Sequence, residues 1–490
     1  MTVAGNITGA GNLGLSLSSS TSGYIVNSTN TAGYAPGAAV TVSPTLTTSI
    51  ADGSKYALIR GKVGNAPTLA SITAPSSGLL SWTVTDGTAY AGSTDINGYS
   101  IIAEDVVMVA TLQEAASLAG VSENTSASVD AAASYTGDNA QLKEISRTVQ
   151  NLSTADEVNK AAVELSPDVT RGVIEGSNNA VIGTLKTIST RSDIIRLASR
   201  NVITGVNAGD ATKKAGLWGQ FLGHYSDQEQ HDGFDGYVAE SSGIVFGIDT
   251  QVSDQVRLGA ALSYTNSRVS LSGINSDDKT DIDSYQSTVY GSYIGHPHYV
   301  DWSVSYTNHQ YDTRRLISYT GFSDTATGDH DGHQFTVDVN GGYPLEFKEL
   351  IVTPVAGLTY SMLQQQDYME SSQNGSALSV DDRTDYSLKS SLGVRVSKTF
   401  ESDKFMFTPE FSTIWQYEFE NDPSLTTASY VAGGSSFTSR SVGVSSNAFI
   451  PGLALTFETK DNLTIRLKYS GETRKHYLGH NAMAEVRLAF

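Results

Sequence analysis

Asn481-Ala482-Met483-Ala484-Glu485-Val486-Arg487-Leu488-Ala489-Phe490 closes the chain with an apolar residue at every second place: Ala482, Ala484, Val486, Leu488 and Phe490. A period of two sets these five on one face of a strand. The same pattern recurs upstream as far as Gly216, in segments of about ten residues parted by turns or polar loops. The fold turns on whether that apolar face meets a protein core or a lipid bilayer.

Assigning faces strand by strand gives a consistent answer. Leu217, Phe221 and Tyr225 share a face opposite Gln220 and His224, and Ile244, Phe246 and Ile248 oppose Gly243, Gly247 and Asp249. Val300, Trp302, Val304 and Tyr306 alternate with Asp301, Ser303 and Ser305, and Phe411, Trp415 and Phe419 with Glu410, Gln416 and Glu418. Tyr285, Val289 and Tyr293 form a weaker case, because Tyr290 and Ile294 fall on the other parity. Twelve such strands are predicted, an even number, as in single-chain bacterial barrels. Short turns (Asp254-Gln255, Gly295-His296-Pro297-His298, Asp461-Asn462) alternate with long polar loops, predicted at 227–236, 267–283, 314–331, 367–385 and 421–446. Charges of both signs lie on the polar parity, among them Asp338, Lys389, Arg395, Glu410, Glu418, Arg466 and Glu485, while aromatics gather near strand ends on the other. That division predicts a wet lumen and lipid-facing girdles, with Asp338, Glu410, Glu418 and Glu485 as candidate acids of the lumen wall.

Composition agrees and excludes alternatives. The 490 residues carry a formal charge of -20, no cysteine, 17% charged residues and a mean hydropathy of -0.19. A chain so acidic does not fit nucleic acid as a partner, since phosphate binding needs clustered Lys and Arg. Without cysteine there is no disulfide framework or thiolate metal site, which suits a chain crossing an oxidising periplasm unfolded. No apolar run is long enough for a spanning helix, a criterion that does not touch barrels. Met1-Thr2-Val3-Ala4-Gly5-Asn6 lacks the basic and apolar regions of a signal peptide, so export implies a signal upstream of this sequence.

Residues 1–110 read as β-rich. The first fifty contain no Asp, Glu, Lys or Arg, and fit either the last rungs of a β-solenoid or a flexible linker. From about 51, strands are predicted at 56–60, 79–84 and 99–102, with Trp82 as a core residue. Residues 111–215 are helical. Leu142, Ile145, Val149 and Leu152 mark one amphipathic helix. Thr154-Ala155-Asp156-Glu157 is a capping box opening a second, which buries Val158, Ala161, Ala162 and Leu165. Ser166-Pro167-Asp168 predicts the start of a third, running past weak points at Gly172, Gly176 and Gly183. Its last part, about 184–203, carries Arg191, Arg196 and Arg200 over about 30 Å. Arginines bar it from lipid, so at that length it crosses a membrane only inside a polar lumen.

From about Ala140 onward the chain resembles the C-terminal part of monomeric autotransporters, the type V secretion family of Gram-negative bacteria. The resemblance rests on the helical linker with Glu164-Leu165-Ser166-Pro167, the opening Gly216-Leu217-Trp218-Gly219-Gln220-Phe221, twelve strands over 216–490, and a terminal Phe490. It implies an all-β transmembrane barrel that brings its own N-terminal passenger to the cell surface, leaving the linker helix in the pore. It further implies an autochaperone-like segment at 51–110, outer-membrane lipid and lipopolysaccharide as surroundings, and barrel assembly machinery and periplasmic chaperones as partners. Val486, Leu488 and Phe490 then form the C-terminal sorting signal, and Phe490 is expected to close the barrel against the strand from Leu217. Leu488 departs from the aromatic common at its place, and Ala482 and Ala484 are poor lipid-facing residues. Asn178-Asn179 resembles the paired asparagines at which some members cut off their passenger, although the pair is expected upstream of the in-lumen segment.

No Gly-x-Ser-x-Gly, His-Glu-x-x-His, Walker or dinucleotide signature occurs, and no catalytic, cofactor-binding or metal-ligating residue is predicted. His296-Pro297-His298 and His330-Asp331-Gly332-His333 fall in predicted turns, and Asp277-Asp278 and Asp381-Asp382 in polar loops, all read as solvated. Two other readings stand beside the translocator: an outer-membrane channel or adhesin-type barrel with an ordered N-terminal domain, and a fragment whose upstream passenger is an enzyme. The passenger's ligand is not legible.

Overall fold

The computed structural model describes residues 11–17, 26–27, 40–60, 72–73, 78–201, 215–295, 297–402, 405–459 and 463–488. Twelve antiparallel strands form a closed barrel: β1 (Ala215–Gln228), β2 (Tyr237–Gln251), β3 (Val256–Leu271), β4 (Lys279–Ile294), β5 (Tyr299–Tyr319), β6 (Phe322–Gly342), β7 (Leu350–Gln365), β8 (Arg383–Lys398), β9 (Phe405–Glu418), β10 (Asn447–Thr459), β11 (Leu463–Arg474) and β12 (Tyr477–Leu488). Each pairs with its sequence neighbours, and the seam closes where β12 runs beside β1, from Tyr477 opposite Gln228 to Glu485 opposite Gln220. Closure leaves no strand edge, the condition for backbone in hydrocarbon.

The alternation decides which face meets lipid. Leu217 is 82% exposed whereas its neighbour Trp218 is 4% exposed, and Phe246, Leu262, Val289, Trp302, Phe411, Trp415 and Leu453 all point outward. Tyr290, the irregular residue of β4, points inward, where its hydroxyl accepts a hydrogen bond from Trp218 Nε1 at 2.8 Å. On β5 the outward residues change from Val300, Trp302, Val304 and Tyr306 to Asn308, Gln310, Asp312 and Arg314. On β6 they change from Phe335, Val337 and Val339 to Asp329, Asp331 and His333. The apolar band therefore ends near Tyr306 and Phe335. A tilted strand needs about 9–11 residues to cross, so these strands of 21 residues stand well clear of the membrane.

That extension corrects the loops expected at 267–283, 314–331, 367–385 and 421–446. β5 and β6 continue through 314–331 as paired strands, joined by a tight turn in which Gly321 takes a φ of 84°. Segments Tyr368–Met369, Leu378–Val380, Leu425–Tyr430 and Phe437–Arg440 make a separate four-stranded sheet. Short runs of Ser and Thr with few apolar residues conceal these strands, whose partners are remote in sequence. His330 and His333 lie on β6 and not in a turn, and the His330 ring is stacked between Tyr311 and Tyr368 at 4.5 and 4.2 Å. Asp278 is buried, not solvated, and accepts a hydrogen bond from Leu316 N at 2.6 Å.

Three helices, α1 (Ser126–Ala133), α2 (Ala140–Gln150) and α3 (Ala155–Leu165), pack on this outer sheet. Leu142, Ile145, Val149, Val158, Ala161, Ala162 and Leu165 share one apolar core with Ile317, Tyr319, Ala326, Leu378, Val380, Ala428, Tyr430 and Phe437 from the barrel's loops. The capping box of α3 is formed, with Glu157 N donating to Thr154 Oγ1 and Thr154 N to Glu157 Oε2, both at 3.2 Å. The third helix does not start at Ser166. Arg171 takes a φ of 68°, which breaks the helix, and the Ser166 hydroxyl donates back to Ala162 O. The last helix, α4 (Gly172–Asn201), opens at Gly172, whose N–H donates to Thr170 Oγ1.

Farther out, the strands Gly11–Leu17, Val40–Leu46 and Ile72–Thr73 stack in parallel, as solenoid rungs do. Beside them Val26–Asn27, Lys55–Arg60, Val106–Leu112 and Leu80–Asp86 form a sheet whose core holds Tyr56, Leu58, Leu80, Trp82 and Met108. The strand expected at 99–102 is absent. Asp95 Oδ1 accepts from Asn97 N and Tyr99 N, and Asp105 Oδ2 from Ile102 N, so side chains divert this backbone into turns.

Candidate functional site

The lumen and the helix it encloses form the candidate site. α4 has 30 residues, about 45 Å, and lies along the walls of β1 to β5. Its in-lumen part begins near Gly172, not near residue 184. The glycines read as weak points are points of close approach: a Cβ on Gly176 would meet Ile282 Cδ1 and Val269 Cγ2 at 2.9 Å, and one on Gly172 would meet Val269 Cγ1 at 2.7 Å. Asn178 and Asn179 consequently lie inside the barrel rather than upstream of it. Asn178 Oδ1 accepts from Gln334 Nε2 at 2.8 Å, and Asn179 Nδ2 donates to Ser226 Oγ at 3.3 Å.

Ion pairs fix the helix at both ends. Near its start Glu175 accepts from Arg474 Nη2 and from the Tyr477 hydroxyl, both at 2.8 Å. Near its end Arg191, 1% exposed, donates through Nε and Nη2 to Asp249 at 2.8 and 3.2 Å and lies 3.9 Å from Glu485. Asp249 also accepts from Arg257 Nε at 2.6 Å and from the Tyr290 hydroxyl at 3.2 Å. Gln220 Nε2 donates to Glu485, so Arg191 is tied to β1, β2 and β12 around the closing seam. Arg196 donates to both Asp301 oxygens at 2.8 and 2.9 Å and to Asp193 at 2.6 Å, with its guanidinium 3.7 Å from the Tyr299 ring centroid. Asp193 in turn faces Arg395 at 2.8 Å and Arg466 at 3.5 Å.

The wall carries both signs: Arg191 meets Asp249 and Glu485 and Arg196 meets Asp301, while Asp193 on the helix meets Arg395 and Arg466. Of the four carboxylates picked from parity, Glu485 approaches Arg191, and Glu410 approaches Arg466, which also meets Asp193. Glu418 is engaged by the Ser387 hydroxyl and Leu388 N, and Asp338 by the Thr359 hydroxyl. The direct helix partners Asp249 and Asp301 were visible on the polar parity, but nothing in one sequence selects them from other lumenal acids. Asp193 and Glu175 carry no distinguishing signal in the sequence, because an acid on a helix is ordinarily solvated. The side chains of Arg200, Val486 and Leu488 lie outside what the structure describes, as does all of Phe490, including its expected pairing with β1. No group of three or more His, Cys, Asp or Glu suited to a metal occurs among the described residues.

A closed twelve-strand barrel with a lipid-facing apolar band and an ion-paired helix in its lumen defines an outer-membrane translocator barrel. The chain belongs to the autotransporter family: the model of the Autotransporter beta-domain matches residues 217–470. It is 25% identical over 347 residues to "Outer membrane protein A" of Rickettsia rickettsii, which covers 67% of this chain and 15% of that protein. It is 24% identical over 292 residues to an "Extracellular serine protease" of Serratia marcescens, covering 59% of this chain and 27% of that one. The chain therefore spans only a small part of these relatives. Among solved structures, the translocator domain of autotransporter NalP from Neisseria meningitidis aligns with 18% identity and a TM-score of 0.46, covering 62% of this chain and 98% of that one. The barrel is an autotransporter translocator of the bacterial outer membrane, with its passenger exposed at the surface.

Proposed function

We propose that the chain is held in the state reached after delivery, with residues 1–165 outside, α4 threaded back through the lumen, and β1 to β12 in the membrane. The observation that carries this is the direction of α4: its Glu175 end meets the long-loop side and its Arg196 end the short-turn side, from which β1 sets out. The function is passage and anchoring, without bond chemistry in the barrel. Outer-membrane lipid and lipopolysaccharide surround it, and the barrel assembly machinery and periplasmic chaperones bring it there. We read Asn178 and Asn179 as polar pins between α4 and the wall, and the chain as uncut between them. An epitope inserted at Asp52-Gly53 tests the reading. Antibody should bind it on intact cells, and binding only after permeabilisation would overturn it. Mass spectrometry of the assembled protein tests the pins: a fragment beginning at Asn179 would restore the cleavage reading.

A further inference from the structure

α4 does not fill the lumen evenly. Lumen-facing residues of β1 to β5, such as Gln220, Ser241, Thr265, Gln286 and Ser305, are buried, whereas Thr359, Lys389, Ser391, Ser412 and Gln416 on β7 to β9 stay partly exposed. At the short-turn end a cavity of about 140 Å³ opens between Asp193, Arg196, Tyr299, Arg395 and Glu410. Its charged side chains can hold water, although Ile294, Pro297, Pro344 and Ile351 share the lining. The outer loops and strand extensions from β5 to β10 carry α1 to α3. The β5–β6 hairpin supplies Ile317 and Tyr319, the β7–β8 loop Leu378 and Val380, and the β9–β10 loop Ala428, Tyr430 and Phe437.

One latch fastens this roof. Arg315, on the extension of β5, is buried and places two donors on Glu370 at 2.8 Å. Its Nη1 donates to Glu164 O at 3.1 Å and Ser166 O at 2.8 Å. Those carbonyls end α3, where a helix leaves acceptors without intrahelical partners. A fork of fixed geometry on β5 thereby binds the chain six residues before α4 begins.

We propose that the pore is sealed at its outer mouth by the roof of α1 to α3 packed on the barrel loops, and not by the helix in its lumen. The proposal rests on the translocator reading, and the surface-epitope experiment tests that reading separately. α4 then acts as an anchor, packed on β1 to β5 and reached across the lumen by Arg395 and Arg466, and the apolar roof core is the element that stops water and solutes.

Planar-bilayer conductance of the full chain separates the two roles. Thr184 Oγ1 and Ser263 Oγ lie 2.9 Å apart, on α4 and β3, so Thr184→Cys with Ser263→Cys locks the helix in the lumen in a protein that has no other cysteine. Adding Leu142→Asp and Ile145→Asp disrupts the roof core on α2. The oxidised lock alone should stay closed, and the lock with the disrupted roof should conduct several-fold more. A locked pore that stays closed with a disrupted roof would make α4 the seal and overturn the proposal. Heat-modifiable gel mobility confirms that the barrel persists in each variant. Should the roof variant not assemble, Glu157→Cys with Thr320→Cys ties the roof to the β5–β6 turn, where Glu157 Oε1 and Thr320 Oγ1 are 3.0 Å apart. In mild urea the oxidised form should stay closed while the reduced form opens. Equal conductance of the two overturns the seal.

Discussion

At the scale of single residues, Arg191 and Asp249 carry the largest consequence. Both are almost wholly buried, and removing one member of such a pair strands the other charge. The loss of one partner costs about 3–5 kcal/mol, whereas replacing the whole network by apolar groups can be neutral. Asp249→Asn should therefore free α4 from the wall while leaving the barrel heat-modifiable, read as faster protease cleavage within residues 172–201 of the folded chain. A rate equal to that of the unsubstituted protein would remove Asp249 from the anchor. Gly176 belongs to the same scale. Gly176→Val inserts a branched side chain against Ile282 and Val269 and should destabilise the seat of the helix by about 1–3 kcal/mol, measurable as a lower urea midpoint for α4 protection. The sequence marked this glycine as a helix weakness because propensity is local, while the wall that needs its missing Cβ lies at Val269 and Ile282, far downstream in β3 and β4.

Among elements, the roof and the extended β5–β6 hairpin set the pH response of the outer end. Asp278, in the β3–β4 loop above the lipid band, is pushed up to about 7 from 3.8, chiefly by burial. Its hydrogen bond from Leu316 and the positive charge of Arg315 oppose the rise, and Asp168 and Glu164 add to it. Glu164 and Asp235 are also raised, each first by burial. A carboxyl raised in the folded state binds its proton better there than in the unfolded chain. Its contribution is thus fully present below about 4 and lost as pH climbs through about 7, with a ceiling of about 4 kcal/mol for Asp278 at about 1.4 kcal/mol per unit. Urea unfolding of the roof should be harder at pH 5 than at pH 8, and Asp278→Asn should flatten the difference. A variant with an undiminished pH difference would remove Asp278 as its source. The roof also marks where sequence patterning fails. α2 and α3 were legible because Leu142 to Leu165 keep helical spacing and Thr154 caps α3. The strands at 368–369, 378–380, 425–430 and 437–440 were not, because each is short and gains its stability from α1 to α3, which precede it by more than two hundred residues.

The whole molecule is a barrel whose apolar exterior could be read from one parity, since Leu217, Phe246, Trp302 and Trp415 all repeat with the strand period. The lumen could be read only by type. Parity separates inward from outward but does not pair Arg191 with Asp249 or Arg196 with Asp301, which are 58 and 105 residues apart along the chain. A closed barrel in detergent should migrate faster unboiled than boiled, and identical migration would count against closure of β12 on β1. The central claim, that α4 is seated inside that closed barrel, is tested most directly by hydrogen exchange of the folded protein in micelles. Amides of α4 from Gly176 to Ser192 should exchange as slowly as those of β1 to β5. Exchange of these amides at the rate of a free helix in water, with the strands still protected, would contradict the account.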